Sequence, residues 1–94
     1  MPSQVVKVAS SVGLHARPAS LLVKAAAASG VSCTIGRVGD KAVNAASMLM
    51  VLALGVKFGE DLEITVAEGD GADAVLATLA DIVGTNHDEE NPHA

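Results

Sequence analysis

Tryptophan and tyrosine are absent from this 94-residue chain and Phe58 is its one aromatic. A core built on rings is therefore excluded, and so is a nucleic-acid surface that stacks bases on aromatic faces. Basic residues are also scarce. Six Lys and Arg stand against eleven Asp and Glu, a net charge of -5, and the six are scattered rather than gathered into the positive patch that a phosphate backbone requires. Cys33 has no second cysteine, which rules out an intramolecular disulfide or a C-x-x-C metal site and leaves it as a small buried side chain. No apolar run is long enough to cross a bilayer, and Met1-Pro2-Ser3-Gln4 lacks the charged and apolar regions of a signal peptide. A soluble cytoplasmic protein without membrane insertion is the expectation.

What is present is aliphatic: half of the residues are hydrophobic, almost all Ala, Val, Leu and Ile, enough for one small core of helix layered against sheet. Val6 and Val8 alternate with Val5 and Lys7, predicting a strand over 4–9 that Ser10-Ser11-Val12-Gly13 breaks. Leu21, Leu22, Ala25, Ala26 and Ser29 form a helical stripe over 18–29, with Gly30 at the usual place of a left-handed cap. Val31, Cys33 and Ile35 alternate with Ser32 and Thr34 as a half-buried strand. The turn-rich stretch 36–40 then lets 41–43 return as a short hairpin partner.

The apolar stretch 47–54 fits two turns of helix or a buried strand by length. Ser47 as N-cap, the helix preference of Met and Leu, and Gly55 as a stop decide for helix. One buried face cannot absorb all of its apolar residues, so part of the surplus faces solvent. Val51 and Leu54 are expected in the core, and Met48, Leu49 and Leu52 form a candidate docking surface. Leu62, Ile64 and Val66 alternate with Glu63, Thr65 and Ala67 as the last strand. Asp70 or Asp73 then caps a helix carrying Val75, Leu76, Leu79, Ile82 and Val83. The order β-α-β-β-α-β-α predicts an α+β open-faced β-sandwich, a four-stranded antiparallel sheet with three helices packed on one face. Residues 1–84 are read as one domain and 85–94 as a polar, frayed tail, in which His87 and His93 receive no role.

The segment Gly13-Leu14-His15-Ala16-Arg17-Pro18-Ala19 brings an imidazole and a guanidinium to the point where strand gives way to helix. Backbone N–H groups at a helix start have no internal acceptors and carry the positive end of the macrodipole, so an anion beside His15 would meet the Ala16 and Arg17 amides. A neutral imidazole keeps a lone pair on one nitrogen near neutral pH and is a competent phosphoryl acceptor. Phosphoryl transfer asks for in-line positioning more than for covalent help from the protein. A carrier between partners therefore needs no P-loop, metal or other cofactor.

At these residues the chain resembles the HPr family, the histidine-containing phosphocarriers of the bacterial phosphoenolpyruvate:sugar phosphotransferase system. The resemblance spans roughly 4–84, and its anchors are Gly13-Leu14-His15-Ala16-Arg17-Pro18 and Asn44-Ala45-Ala46-Ser47-Met48-Leu49, with Gly55 closing the helix. It implies His15 as the phosphorylated residue, through its δ1 nitrogen, Arg17 as the cation on the phosphate side, and Ser47 as the regulatory serine found mainly in Gram-positive relatives. It implies as partners Enzyme I, the IIA domains of sugar permeases and a serine kinase/phosphorylase acting on Ser47. It also implies a phosphoryl-transfer intermediate that turns over no small substrate by itself, most simply a monomer. The family more often carries Ile or Leu where this chain has Met48. Propensity alone starts the first helix at Pro18, because a residue before proline is biased away from the α region. The family pattern starts it near Ala16 with His15 as cap, and is adopted here.

Two other readings stand beside this one. An HPr-like binding module could act mainly through Ser47 and partner docking, as relatives without the active histidine do; the presence of His15 speaks against it. A small metal- or metabolite-binding domain would use His15 as a ligand, but no second His or Cys stands at ligand spacing from it. Ser47 serves equally as a plain N-cap, a role compatible with regulation.

Overall fold

A computed structural model describes residues 2–10 and 13–85. Ser11 and Val12 of the predicted break lie outside the described residues, as do 86–94 of the predicted tail with His87 and His93. The elements follow the predicted order: β1 (Ser3–Lys7), α1 (Ala16–Ser29), β2 (Cys33–Arg37), β3 (Val43–Asn44), α2 (Met48–Ala53), β4 (Asp61–Val66) and α3 (Ala72–Val83). The strands form an antiparallel sheet in the order β1-β4-β2-β3.

Register explains the two faces. Val6 lies opposite Leu62, and Ile64 lies between Gln4 and Ile35. The period of two then sends Leu62, Ile64 and Val66 inward with Cys33 and Ile35, all of them buried. The opposite face carries Ser3, Val5, Lys7, Asp61, Glu63, Thr65 and Thr34, polar apart from Val5, and none of the described helices covers it. Helices cover only the apolar face. α3 lies against β1 and β4, α1 against α3 and α2, and α2 against β3. Leu22, Ile35, Leu62, Ile64 and Leu79 are shut off from solvent between the layers. Each contributes roughly 1.5–3 kcal/mol by leaving water.

Several boundaries differ from the sequence expectation. β1 is Ser3–Lys7 rather than 4–9: the Val8 N–H still reaches the Glu60 carbonyl (3.0 Å), but the Val8 carbonyl accepts from Gly59 (3.0 Å), because the Glu60 N–H turns to the Lys57 carbonyl (3.1 Å) and the pairing ends. β2 runs two residues further than expected and takes Gly36 and Arg37 out of the predicted turn. Gly36 pairs there with Glu63, and only glycine fits, because Ala42 crosses so close that a Cβ at position 36 would lie 2.9 Å from the Ala42 Cα. β3 accordingly shifts to Val43–Asn44. Neither Asp70 nor Asp73 caps α3. The cap is Gly71, in the left-handed region at φ 80°, where an Asp would be strained. Asp73 instead sits in the first turn, where its charge favours the helix dipole. In α1 the inward residues are Pro18, Ala19, Leu22 and Ala26, so Leu21, expected in the stripe, lies at its exposed margin.

Candidate functional site

α1 starts at Ala16, with His15 as N-cap in extended conformation (φ -98°, ψ -168°) and no side-chain cap bond. The first intrahelical bond runs from the Ala19 N–H to the His15 carbonyl (3.0 Å). The helix offers no acceptor to the N–H groups at its start. His15 donates its own to the Gly13 carbonyl (3.0 Å), and Pro18 has none. The donors at the helix mouth are thus those of Ala16 and Arg17, both exposed residues. Pro18 at this position costs nothing in helix bonding, because its missing N–H would have had no partner there. The His15 ring is half-buried, with Nε2 turned into the protein and covered.

The loop before His15 rests on the chain that follows α2. The Leu14 N–H donates to the Val56 carbonyl (3.0 Å), and the Gly13 N–H to Ser10 (2.9 Å). Gly13 has φ 81°, and a Cβ there would collide with the Val56 carbonyl oxygen and lie 2.9 Å from the Lys57 Cα. A glycine is required twice over, by conformation and by space.

Ser47 is the N-cap of α2, its Oγ accepting from the Met50 N–H at 3.3 Å, as expected from sequence. The preceding turn is held by Asn44, whose Oδ1 accepts from the Ala46 N–H (2.9 Å). The spacing of Met48, Val51 and Leu54 sets the inner stripe of α2. Val51 is fully buried, and Met48 and Leu54 are half-buried against the core. Leu49, 78% exposed, and Leu52, 39% exposed, face outward as expected. Met50, which the sequence reading passed over, is also exposed, and so is Phe58 in the turn that follows. Met48 is thus shared between core and surface, whereas Met50 is open. The same helical period, extended one residue past Leu49, was the signal that could have found it.

A second polar cluster was not foreseen. Arg37, at the end of β2, donates from Nε and Nη2 to the two Glu60 carboxylate oxygens (2.8 and 3.2 Å), from Nη1 to the Leu54 carbonyl (2.8 Å) and from Nη2 to the Gly55 carbonyl (3.1 Å). Glu60 also accepts the Lys57 N–H (2.6 Å). The Arg37 hydrogen bonds, with that backbone donor, pull the Glu60 pKa down to about 2.

The chain matches, over residues 2–85, the family model described as "PTS HPr component phosphorylation site". It belongs to the HPr phosphocarrier family. The chain is 45% identical over 89 residues to the phosphocarrier protein HPr of Streptomyces coelicolor, with 95% of each chain covered. It is 41% identical over 75 residues to the multiphosphoryl transfer protein of Vibrio cholerae, covering 78% of this chain and 18% of that much longer one. Among solved structures, the HPr of Bacillus anthracis is similar at a TM-score of 0.78 and 35% identity, over 87% of this chain and 95% of that one. As an HPr, the protein is a phosphoryl carrier of the phosphotransferase system, and the open-faced sandwich described above is the HPr fold. Among the described residues no helix is long and apolar enough to cross a membrane.

Proposed function

We propose that His15 is the residue that carries the phosphoryl group, received from phospho-Enzyme I and passed to a histidine on sugar-specific IIA domains. The observation that supports this most is the position of His15 as the N-cap of α1, half-buried beside the Ala16 and Arg17 amides, with Nε2 covered. Covering Nε2 leaves Nδ1 as the nitrogen for attack. Its lone pair forms the new bond to phosphorus while the bond from phosphorus to the donor's leaving atom breaks, and the reverse exchange discharges the carrier. The helix-start amides and the Arg17 guanidinium offset the phosphate charge without enclosing it, so the group stays transferable. The outward Leu49 and Leu52, with the accessible part of Met48, supply apolar contact for successive partners. The carrier works in the cytoplasm as a monomer and performs no turnover of a small substrate on its own.

Incubation with labelled phosphoenolpyruvate and Enzyme I tests this. Acid-labile, base-stable label is expected on the wild type and absent from His15→Ala, with slower labelling of Arg17→Ala. A wild type that stays unlabelled while Enzyme I is labelled would sink the proposal.

A second reading concerns Ser47. Its hydroxyl caps α2 directly beside the exposed Leu49. Phosphate there would lie at the favourable end of a helix and leave the fold intact, while placing charge against the docking surface. Ser47→Asp should then weaken transfer from Enzyme I, and unchanged transfer kinetics would exclude regulation at this position.

A further inference from the structure

We propose that Arg37 is a positioning residue for phosphoryl transfer: through Glu60 and the Leu54 and Gly55 carbonyls it fixes the 54–60 segment on which the His15 loop is seated. The inference rests on His15 being the acceptor.

Arg37 leaves the end of β2 and reaches four acceptors. Two of these are the carbonyls of Leu54, the C-cap of α2 and a group that a helix leaves without an internal donor, and of Gly55 just beyond it. A guanidinium is the one side chain with a planar fork able to satisfy a carboxylate and two carbonyls together. Glu60 completes the frame from the far end of the segment. One of its oxygens takes Nε of Arg37, and the other is shared between Nη2 and the Lys57 N–H. The segment is therefore tied at 54, 55, 57 and 60 to a single side chain, directly or through Glu60.

The middle of that segment, Val56 and Lys57, is the part that touches the His15 loop. The Val56 carbonyl receives the Leu14 N–H, and the Val56 and Lys57 backbone lies so close to Gly13 that no Cβ fits between them. Gly13 in turn accepts the His15 N–H. From the guanidinium to the His15 backbone the connection is made of hydrogen bonds and one backbone contact without slack. Arg37 and Glu60 are each one-third exposed, so solvent screening limits what the pair adds to stability. Its effect is geometric.

The test uses Arg37→Met, which keeps the aliphatic stem, and Glu60→Gln, which keeps the shape of the carboxylate. Thr78→Ala serves as control, removing an exposed side-chain bond, 3.0 Å from the Thr78 hydroxyl to the Ala74 carbonyl, on α3. Each folded variant is followed in three ways: phosphoryl transfer from Enzyme I, hydrogen exchange at the Leu14 and Ile64 amides, and the NMR shifts of the His15 ring. Arg37→Met should lower kcat by about tenfold or more, the scale on which small displacements of a reacting group act, with KM little changed. It should speed exchange at Leu14 but not at Ile64, and move the His15 ring shifts; Glu60→Gln should do the same more weakly and Thr78→Ala not at all. A merely structural role would speed Leu14 and Ile64 together and leave the His15 shifts of the folded protein in place. Wild-type kcat and Leu14 exchange in Arg37→Met would overturn the proposal. A wild type that takes no label would overturn the carrier role of His15 instead, and the exchange and NMR results would still decide whether Arg37 holds the loop.

Discussion

Gly13→Ala separates the two demands made on this loop. At φ 81° an alanine would pay the left-handed cost of roughly 1–2 kcal/mol. Its Cβ would also overlap the Val56 carbonyl oxygen and lie 2.9 Å from the Lys57 Cα. Both neighbours are backbone, and one of them holds Leu14, so the strain can be relieved only by displacing the loop or the 54–60 segment. Overpacking of this kind costs about 1–3 kcal/mol. The total, about 2–5 kcal/mol, is a large share of the 5–15 kcal/mol typical of a small domain. Gly30→Ala is the matched control, because Gly30 has a similar φ of 73° but nothing within 4 Å of its would-be Cβ, so only the conformational cost applies. Urea unfolding followed by far-ultraviolet circular dichroism should show Gly13→Ala losing about 1–3 kcal/mol more than Gly30→Ala. Equal losses would mean that Gly13 is needed for its dihedral angle alone, and the close seating of the His15 loop on Val56 would be refuted.

The remaining predictions concern the second cluster and the helix cap. Glu60 has a folded pKa near 2, below its ordinary value; its contribution to stability is therefore complete above the unfolded pKa and is lost as pH falls through the folded one. Unfolding midpoints measured from pH 5 down to about 2 should fall, and Glu60→Gln should flatten that decline; identical slopes would remove Glu60 as a cause. Ser47→Ala deletes the 3.3 Å bond to the Met50 N–H and should cost about 0.5–2 kcal/mol, with faster hydrogen exchange at Met50. A variant as stable as wild type would show that the cap contributes nothing.

The parts of the molecule legible in sequence are those where local pattern and burial agree. Leu62, Ile64 and Val66 alternate and are all buried, and Ser47 caps the helix that its neighbours require. Legibility failed where a distant segment decided a local question. Gly36 looked like turn chemistry, yet it pairs with Glu63 of β4 and belongs to β2, and that extension delivers Arg37 to Glu60, 23 residues away. Asp70 and Asp73 have better cap propensity than Gly71, but the backbone enters α3 through a left-handed residue, and conformation overrode propensity. At the candidate site, the His15 motif gave the helix start and its donors. Nothing in the sequence pairs Gly13 with Val56, because that contact joins two loops across the fold and leaves no periodic trace.

Among the described residues the core holds no phenylalanine, tyrosine or tryptophan, and Phe58 stands 61% exposed in the turn after α2. Without indole or phenol the protein is nearly silent in near-ultraviolet absorption and fluorescence. In a mixture with a partner that contains tryptophan, the emission belongs to the partner alone, and each docking event can be watched from the partner's side without labelling either molecule. The same silence makes a single tryptophan placed at position 58 an uncontested reporter of what approaches that turn.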